Sequence, residues 1–323
     1  MKNNIPLKKS FFKYQLNRVY RKITRKAWDN NLKSKNFGNR TILSSTLGNS
    51  FILDSISSNK PFAITRYGSV ELNTIMAGVT DKIGLTKNAI EKAVKRRILT
   101  NNAGVFPNTA EIHKRYSELM INLSPLADGL AIWNFESEKF IINNFTDKSV
   151  CLIAHQALEP WYCDSNYWTK ALEGKKVLVI HPFAETIEKQ YRKRELIFPE
   201  KQYLPEFELH TLKAVQTAAG EKDERFADWF EALDYMYNEA LKIDFDVAIL
   251  GCGAYGFPLS VMLKKAGKQA IHMGGATQIL FGIKGARWDN HPVISKLNNE
   301  HWVRPSDNET PKKAENVEGG CYW

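Results

Sequence analysis

Short apolar runs rich in β-branched residues alternate along this chain with longer stretches of helical periodicity. That alternation restricts the fold more than any other feature. Candidate strands fall at 62–66, 129–133, 150–154, 177–181, 247–250 and 269–273, and candidate helices near 70–77, 87–100, 110–123, 185–195, 223–242, 258–266 and 292–297. Strands separated by helices pair in parallel, because a parallel neighbour is reached only through a crossover. The expected architecture is α/β, a Rossmann-like, mostly parallel sheet with helices on both faces. The strongest helical pattern is 223–242, where Phe226, Phe230, Leu233, Tyr237 and Leu241 share one side with Trp229, Met236 and Ala240 beside them. Such a stripe is core, not a site. No apolar run approaches the roughly 18 residues of a membrane span.

The charge is unevenly placed. Of a net +10, residues 1–40 contribute twelve Lys or Arg against one acid, Asp29, so this segment carries +11 and the remainder −1. A nucleic-acid partner is not expected, since it needs a basic face on the folded body. Between Ser10 and Leu32 the basic segment has helical spacing, with Phe12, Leu16, Val19 and Ile23 forming a stripe among Lys13, Arg18, Arg21, Lys22, Arg25 and Lys26. Two readings fit: the helix lies on an anionic membrane surface, or the stripe packs on the body and the charges are solvated. The chain divides into a basic helical arm (1–45), an α/β domain (46–304) and a polar, flexible tail (305–323). No apolar signal core precedes the body, and Cys151, Cys163, Cys252 and Cys321 lack paired metal spacing. Both features fit a cytoplasmic protein with reduced thiols, placed at the inner face of the membrane if the arm binds lipid.

Two motifs carry chemistry. Gly251-Cys252-Gly253-Ala254-Tyr255-Gly256 follows an apolar strand and precedes a helix with Pro258 in its first turn. Glycines in that context permit a tight turn and let backbone N–H groups approach a phosphate. A dinucleotide site also asks for an acid at the end of the next strand, which instead reads His272-Met273-Gly274-Gly275. NAD and S-adenosylmethionine are therefore disfavoured; a phosphate loop, or a tight turn with no ligand, stands. The second motif, Arg66-Tyr67-Gly68-Ser69-Val70-Glu71, puts a guanidinium, a glycine turn and a carboxylate at another strand end. Arg66 can pair with a phosphate or with Glu71, and Glu71 can bind a cation or act as a base. His155 and His181 also fall at strand ends and can contact phosphate or donate a proton. Gln278, Lys284, Arg287 and Trp288, in the stretch after Gly274, can hold a phosphate, a base or an acceptor, or belong to surface and core.

With these residues in place, the chain resembles the GT-D-type glycosyltransferases of bacterial surface-polysaccharide and glycoprotein pathways, over roughly residues 60–290. Those proteins carry an Arg-aromatic-Gly-Asp-Gly-Glu motif after a strand. Arg66, Gly68 and Glu71 match it, whereas Ser69 replaces the aspartate and Val70 the second glycine. The segments VLVIHPF, GCGAYGFPL and HMGGATQILFGIKGARW are similar to GT-D-like proteins of polysaccharide loci. The resemblance implies sugar transfer from a nucleoside-diphosphate donor, a UDP-sugar, to a surface-polysaccharide or lipid-linked glycan. Read together with the strand-end positions above, it makes Glu71 and His181 the expected catalytic residues. Arg66, Gly68, Ser69, Gly251, Gly253, Tyr255, Gly256, His272, Gly274, Gly275 and Gln278 would bind nucleotide and phosphate. It also implies a divalent cation, manganese or magnesium, on Glu71. Losing the aspartate weakens or relocates that cation, transfers its work to basic groups, or leaves a protein that binds without turnover.

Overall fold

A computed structural model describes residues 5–24, 36–37, 40–85, 89–221 and 223–323. Helix α1 (Ile5–Thr24) precedes a short antiparallel pair, β1 (Asn36–Phe37) and β2 (Arg40–Leu43), and helix α2 (Ser45–Ser57). Strand β3 (Phe62–Arg66) leads into α3 (Ser69–Lys82), α4 (Ala89–Ala103) and α5 (Ala110–Leu123). Then come β4 (Gly129–Ile132), α6 (Glu136–Phe145), β5 (Cys151–Ala154), β6 (Lys176–His181), α7 (Ala184–Tyr191), α8 (Arg194–Ile197) and β7 (Glu208–Lys213). The last units are α9 (Trp229–Leu241), β8 (Val247–Leu250), α10 (Gly256–Lys265), β9 (Gln269–His272) and α11 (Ala276–Leu280).

The strands form one sheet in the order β1-β2-β5-β4-β3-β9-β8-β6-β7, and every pairing except β1–β2 is parallel. Strands buried on both faces need no polar alternation. In β8, Val247 and Ile249 enter one core while Ala248 and Leu250 enter the other. Helices α3, α5, α6, α9 and α10 cover the first face; α2, α7 and α11 cover the second. The α/β expectation therefore holds. No helix among the described residues is long and apolar enough to cross a membrane.

Several details differ from the sequence reading. The boundary at 45 cuts off β2, which pairs with β5 and extends the sheet. On α9 the buried side chains are Trp229, Ala232, Leu233, Met236 and Ala240, whereas Leu241 is exposed, so the inward face is rotated toward the expected flank. The segment 292–297 gives only a short 3-10 turn, Ile294–Leu297. On α1 the expected stripe faces out: Phe12, Leu16 and Val19 are exposed by 59%, 70% and 53%, while Ile23 lies outside the residues whose side chains are described. Phe11 is buried instead, edge-on to Phe140 of α6 at 5.9 Å, and Asn144 Nδ2 donates to Ser10 Oγ at 3.0 Å.

The expected flexible tail is packed against the body. Glu309, 2% exposed, accepts the backbone N–H groups of Glu185 (2.9 Å) and Thr186 (3.3 Å), two of the donors left open at the start of α7. Val317 and Cys321 are buried, and Gln278 Nε2 donates to the Tyr322 carbonyl at 3.0 Å. A buried carboxylate with partners outweighs the polar composition that suggested disorder.

Candidate functional site

In a parallel sheet, ligands collect outside the carboxyl ends of the strands, where the chain order reverses. Here the strands from residues 40–154 fill one half of the sheet and those from 176–272 the other, meeting at the β3–β9 pair. The turns after β3, β9 and β8 are thus side by side. They line one cavity of about 530 Å³ together with Trp133, His155 and His181 at the ends of β4, β5 and β6. That volume is ordinary for a small-molecule site of roughly 300–1,000 Å³. The two motifs read from sequence converge on it: Arg66, Gly68, Ser69 and Glu71 on one side, Gly251, Gly253 and Tyr255 on the other, with His272, Gly275 and Gln278 between.

Arg66 is the centre of the electrostatics. Its Nε is buried with no hydrogen-bond partner, and no carboxylate comes within ion-pair distance among the described residues. The expected alternative, an Arg66–Glu71 bridge, does not form. The guanidinium lies 5.5 Å from the Trp133 ring centroid and against the backbone of Gly274, where an added Cβ would stand 2.0 Å from Nη2. A partly buried, unpaired guanidinium facing a cavity has the chemistry to pair with an anion.

The glycines serve different ends. Gly253 adopts φ +57 with open space beside it, so its backbone faces the cavity bare. Gly251 and Gly256 instead make room for side chains: an added Cβ would meet the His181 ring at 2.3 Å and the His272 ring at 2.2 Å. Gly256 and Gly274 stand behind the wall and do not line the cavity. Their expected phosphate contacts become a packing role, which brings His272 and Arg66 to the surface. At Gly275 the bare position admits the Tyr322 ring, 2.6 Å from a hypothetical Cβ.

Glu71 occupies the first turn of α3 and folds its carboxylate over Gly68 onto its own backbone N–H. Burial pushes its pKa up and Glu318 adds to that, while Arg66 pulls the other way. His181 accepts the Phe183 N–H on Nδ1 at 3.0 Å, and burial pushes its pKa down to about 3. A neutral imidazole with Nδ1 occupied presents Nε2–H, which is a hydrogen-bond donor and a poor proton donor. His272 Nδ1 lies 3.3 Å from Thr65 Oγ1, and burial, with Arg66, keeps it neutral. Tyr255 stacks on Trp229 at 4.8 Å. The amide N–H groups of Gln278 are spent on the carbonyls of Ile283, Lys284 and Tyr322, so it anchors the tail more than a ligand. Arg287 and Trp288 line the cavity, with Arg287 paired to Glu318 and donating to Tyr322 Oη at 3.1 Å; Lys284 does not line it.

Sequence reasoning missed Trp133, Glu138, Glu159, Glu318 and Tyr322. Glu138 is fully buried and accepts the N–H groups of Trp133 (3.3 Å), Asn134 (2.8 Å) and Phe135 (3.3 Å). It holds the turn where Asn134 takes φ +68 and Trp133 reaches the cavity. The signal for Glu159 was its place just after a strand, among Trp161 and Tyr162.

A divalent cation needs several hard oxygen ligands. Glu71 is turned onto its own helix, Ser69 brings only a hydroxyl, and no group of three His, Cys, Asp or Glu that could hold a metal gathers among the described residues. The residues present do not fit the cation, and Arg66 is the positive charge at this place.

Fold and site together define a parallel α/β protein with a cavity at its central strand ends that holds an unpaired guanidinium. No protein-family model matches the chain, and no curated protein is similar to it in sequence. Two solved structures of domain of unknown function 1792 are similar in fold. One, a selenomethionine form, is 14% identical, with a TM-score of 0.36 over 72% of this chain and 78% of that one. The other, described as having a distinct glycosyltransferase fold, is 13% identical, with a TM-score of 0.37 over 72% and 77%. At those values the roles of individual residues rest on this chain's own geometry.

Proposed function

We propose that the chain is a glycosyltransferase whose donor is a nucleoside-diphosphate sugar, a UDP-sugar, and whose acceptor is a surface-polysaccharide or lipid-linked glycan. The observation that carries this reading is the unpaired Arg66 guanidinium beside the bare backbone of Gly253, in a cavity shared by both motifs. Arg66 takes the diphosphate and stabilises the charge it gains on leaving, without a metal. His181 and Gly253 offer N–H donors, and the half-exposed Trp133 face suits a base or sugar ring. Thermal unfolding in the presence of UDP-, GDP- and CMP-sugars tests it. A UDP-sugar should raise the midpoint equally with EDTA and with manganese. No shift with any nucleotide removes the proposal. Binding without consumption of donor would favour instead the binding protein suggested by Ser69.

A lipid-linked acceptor fits the exposed face of α1. Phe12, Leu16 and Val19 line up among exposed Lys8, Lys9, Lys13 and Arg18, while the opposite side is docked on α6. Each basic group near an anionic surface contributes about 1 kcal/mol. The protein should co-sediment with vesicles containing phosphatidylglycerol but not with phosphatidylcholine alone. The double variant Phe12→Glu, Leu16→Glu should stay in solution at an unchanged melting temperature. Equal pelleting of the variant removes the lipid contact.

A further inference from the structure

Resting on the transfer reading above, we infer that Glu159 is the general base that takes the proton of the acceptor hydroxyl. Two 3-10 turns, His155–Leu158 and Pro160–Tyr162, follow β5 and return Glu159 to the cavity wall next to Trp133. The residue is 8% exposed, and its Oε2 accepts the Trp161 indole N–H at 2.9 Å, which fixes its orientation. Oε1 lies 3.7 Å from His155 Nδ1, beyond hydrogen-bond length, and takes no hydrogen bond among the described residues. His155 stacks on Trp133 at 3.6 Å between centroids.

The other candidates are occupied. Glu71 is folded onto its own backbone N–H, and the Nδ1 lone pair of His181 is taken by Phe183. Glu71 has both oxygens laid over Gly68, whereas Glu159 has one oxygen held by the Trp161 indole and the other without a donor among the described residues. The groups facing it are His155, Arg66, Trp161 and Tyr162; burial outweighs Arg66 and the indole and pushes its carboxyl up to about 7. His155 is held neutral by its own burial and by Arg66 and His272. A base poised near the working pH is the efficient case.

The step balances as follows. The acceptor oxygen forms a bond to the anomeric carbon as the carbon–oxygen bond to the diphosphate breaks, its electron pair leaving on the nucleoside diphosphate. The hydroxyl proton passes to Glu159 and then to solvent. A single displacement of this kind inverts the anomeric configuration.

The test compares wild type with Glu159→Gln, an isostere that can still accept from Trp161. Donor consumption is followed with water and with azide as acceptor, because azide needs no deprotonation. In wild type the rate with water should rise about tenfold per pH unit below about pH 7 and level off above it. Glu159→Gln should lose that limb and about 100-fold in rate with water. It should keep UDP affinity, melting temperature and azide transfer, the azide product having inverted configuration. Loss of azide transfer in parallel with water, or an unchanged pH profile, overturns the assignment. Wild type that binds no nucleotide at all overturns the transfer reading itself, and that result is separable because it needs no variant.

Discussion

Replacing Arg66 by glutamine is expected to weaken UDP binding about 100-fold, the loss of a charge-assisted pair worth roughly 1.5–3 kcal/mol. The protein should stay folded, since the guanidinium has no carboxylate partner to strand and rests against Gly274 and near Trp133. The change should raise the melting temperature slightly in the absence of ligand, because an unpaired, partly buried cation is costly. Arg66→Lys should recover only part of the affinity: an ammonium supplies charge but not the planar fork that grips two phosphate oxygens. Titration calorimetry with UDP checks this. Equal affinity in Arg66→Gln would place the diphosphate elsewhere.

The second large effect belongs to Glu138. Its carboxyl answers three backbone N–H groups in the turn that carries Trp133. Glu138→Ala strands those donors and opens a void, at a cost of about 3 kcal/mol or more and a melting temperature lower by roughly 5–10 °C. UDP affinity should fall with it, because the cavity wall loses its hold. Glu138→Gln keeps an acceptor oxygen and should retain most of both. A pH dependence follows. Burial raises the Glu138 carboxyl to about 8 and the Glu159 carboxyl to about 7, above ordinary carboxylate values. The folded state therefore keeps protons that the unfolded chain has released. That stability is fully present below the unfolded value, near 4.5, and is lost as pH rises through about 7 and 8. Below about pH 6.5 the buried histidines, neutral in the folded state, oppose this trend; from about pH 6.5 to pH 9 the melting temperature should decline, and Glu138→Gln should flatten the decline. A wild-type curve that climbs over this interval contradicts the argument.

The sheet was legible wherever strands are buried on both faces. Segments 62–66 and 247–250 match β3 and β8 end to end, because a continuous apolar run admits few other readings. Strand β7 was missed since all six of its residues are exposed or half-buried, leaving no run to see. Helix α2 hides behind serines and Gly48, whose bare position lets it approach Ile153 and Ala157. The two glycine motifs were found, but the reason for most of the glycines was not. That Gly256 exists for His272, sixteen residues further on, is a fact of the fold and not of spacing. The walls contributed by Trp133, Glu159 and Tyr322 come from three separate elements, and nothing local marks them as neighbours.

The junction of the two half-sheets has a mechanical corollary. Between β3 and β9 three residue pairs are in register, with α10 lying across both strands. A molecule gripping Arg66 on one side and Gly253 on the other is a staple across that joint. Ligand-bound protein should therefore slow amide exchange in both halves at once, coupling their opening into one event, in strands that touch nothing of the ligand.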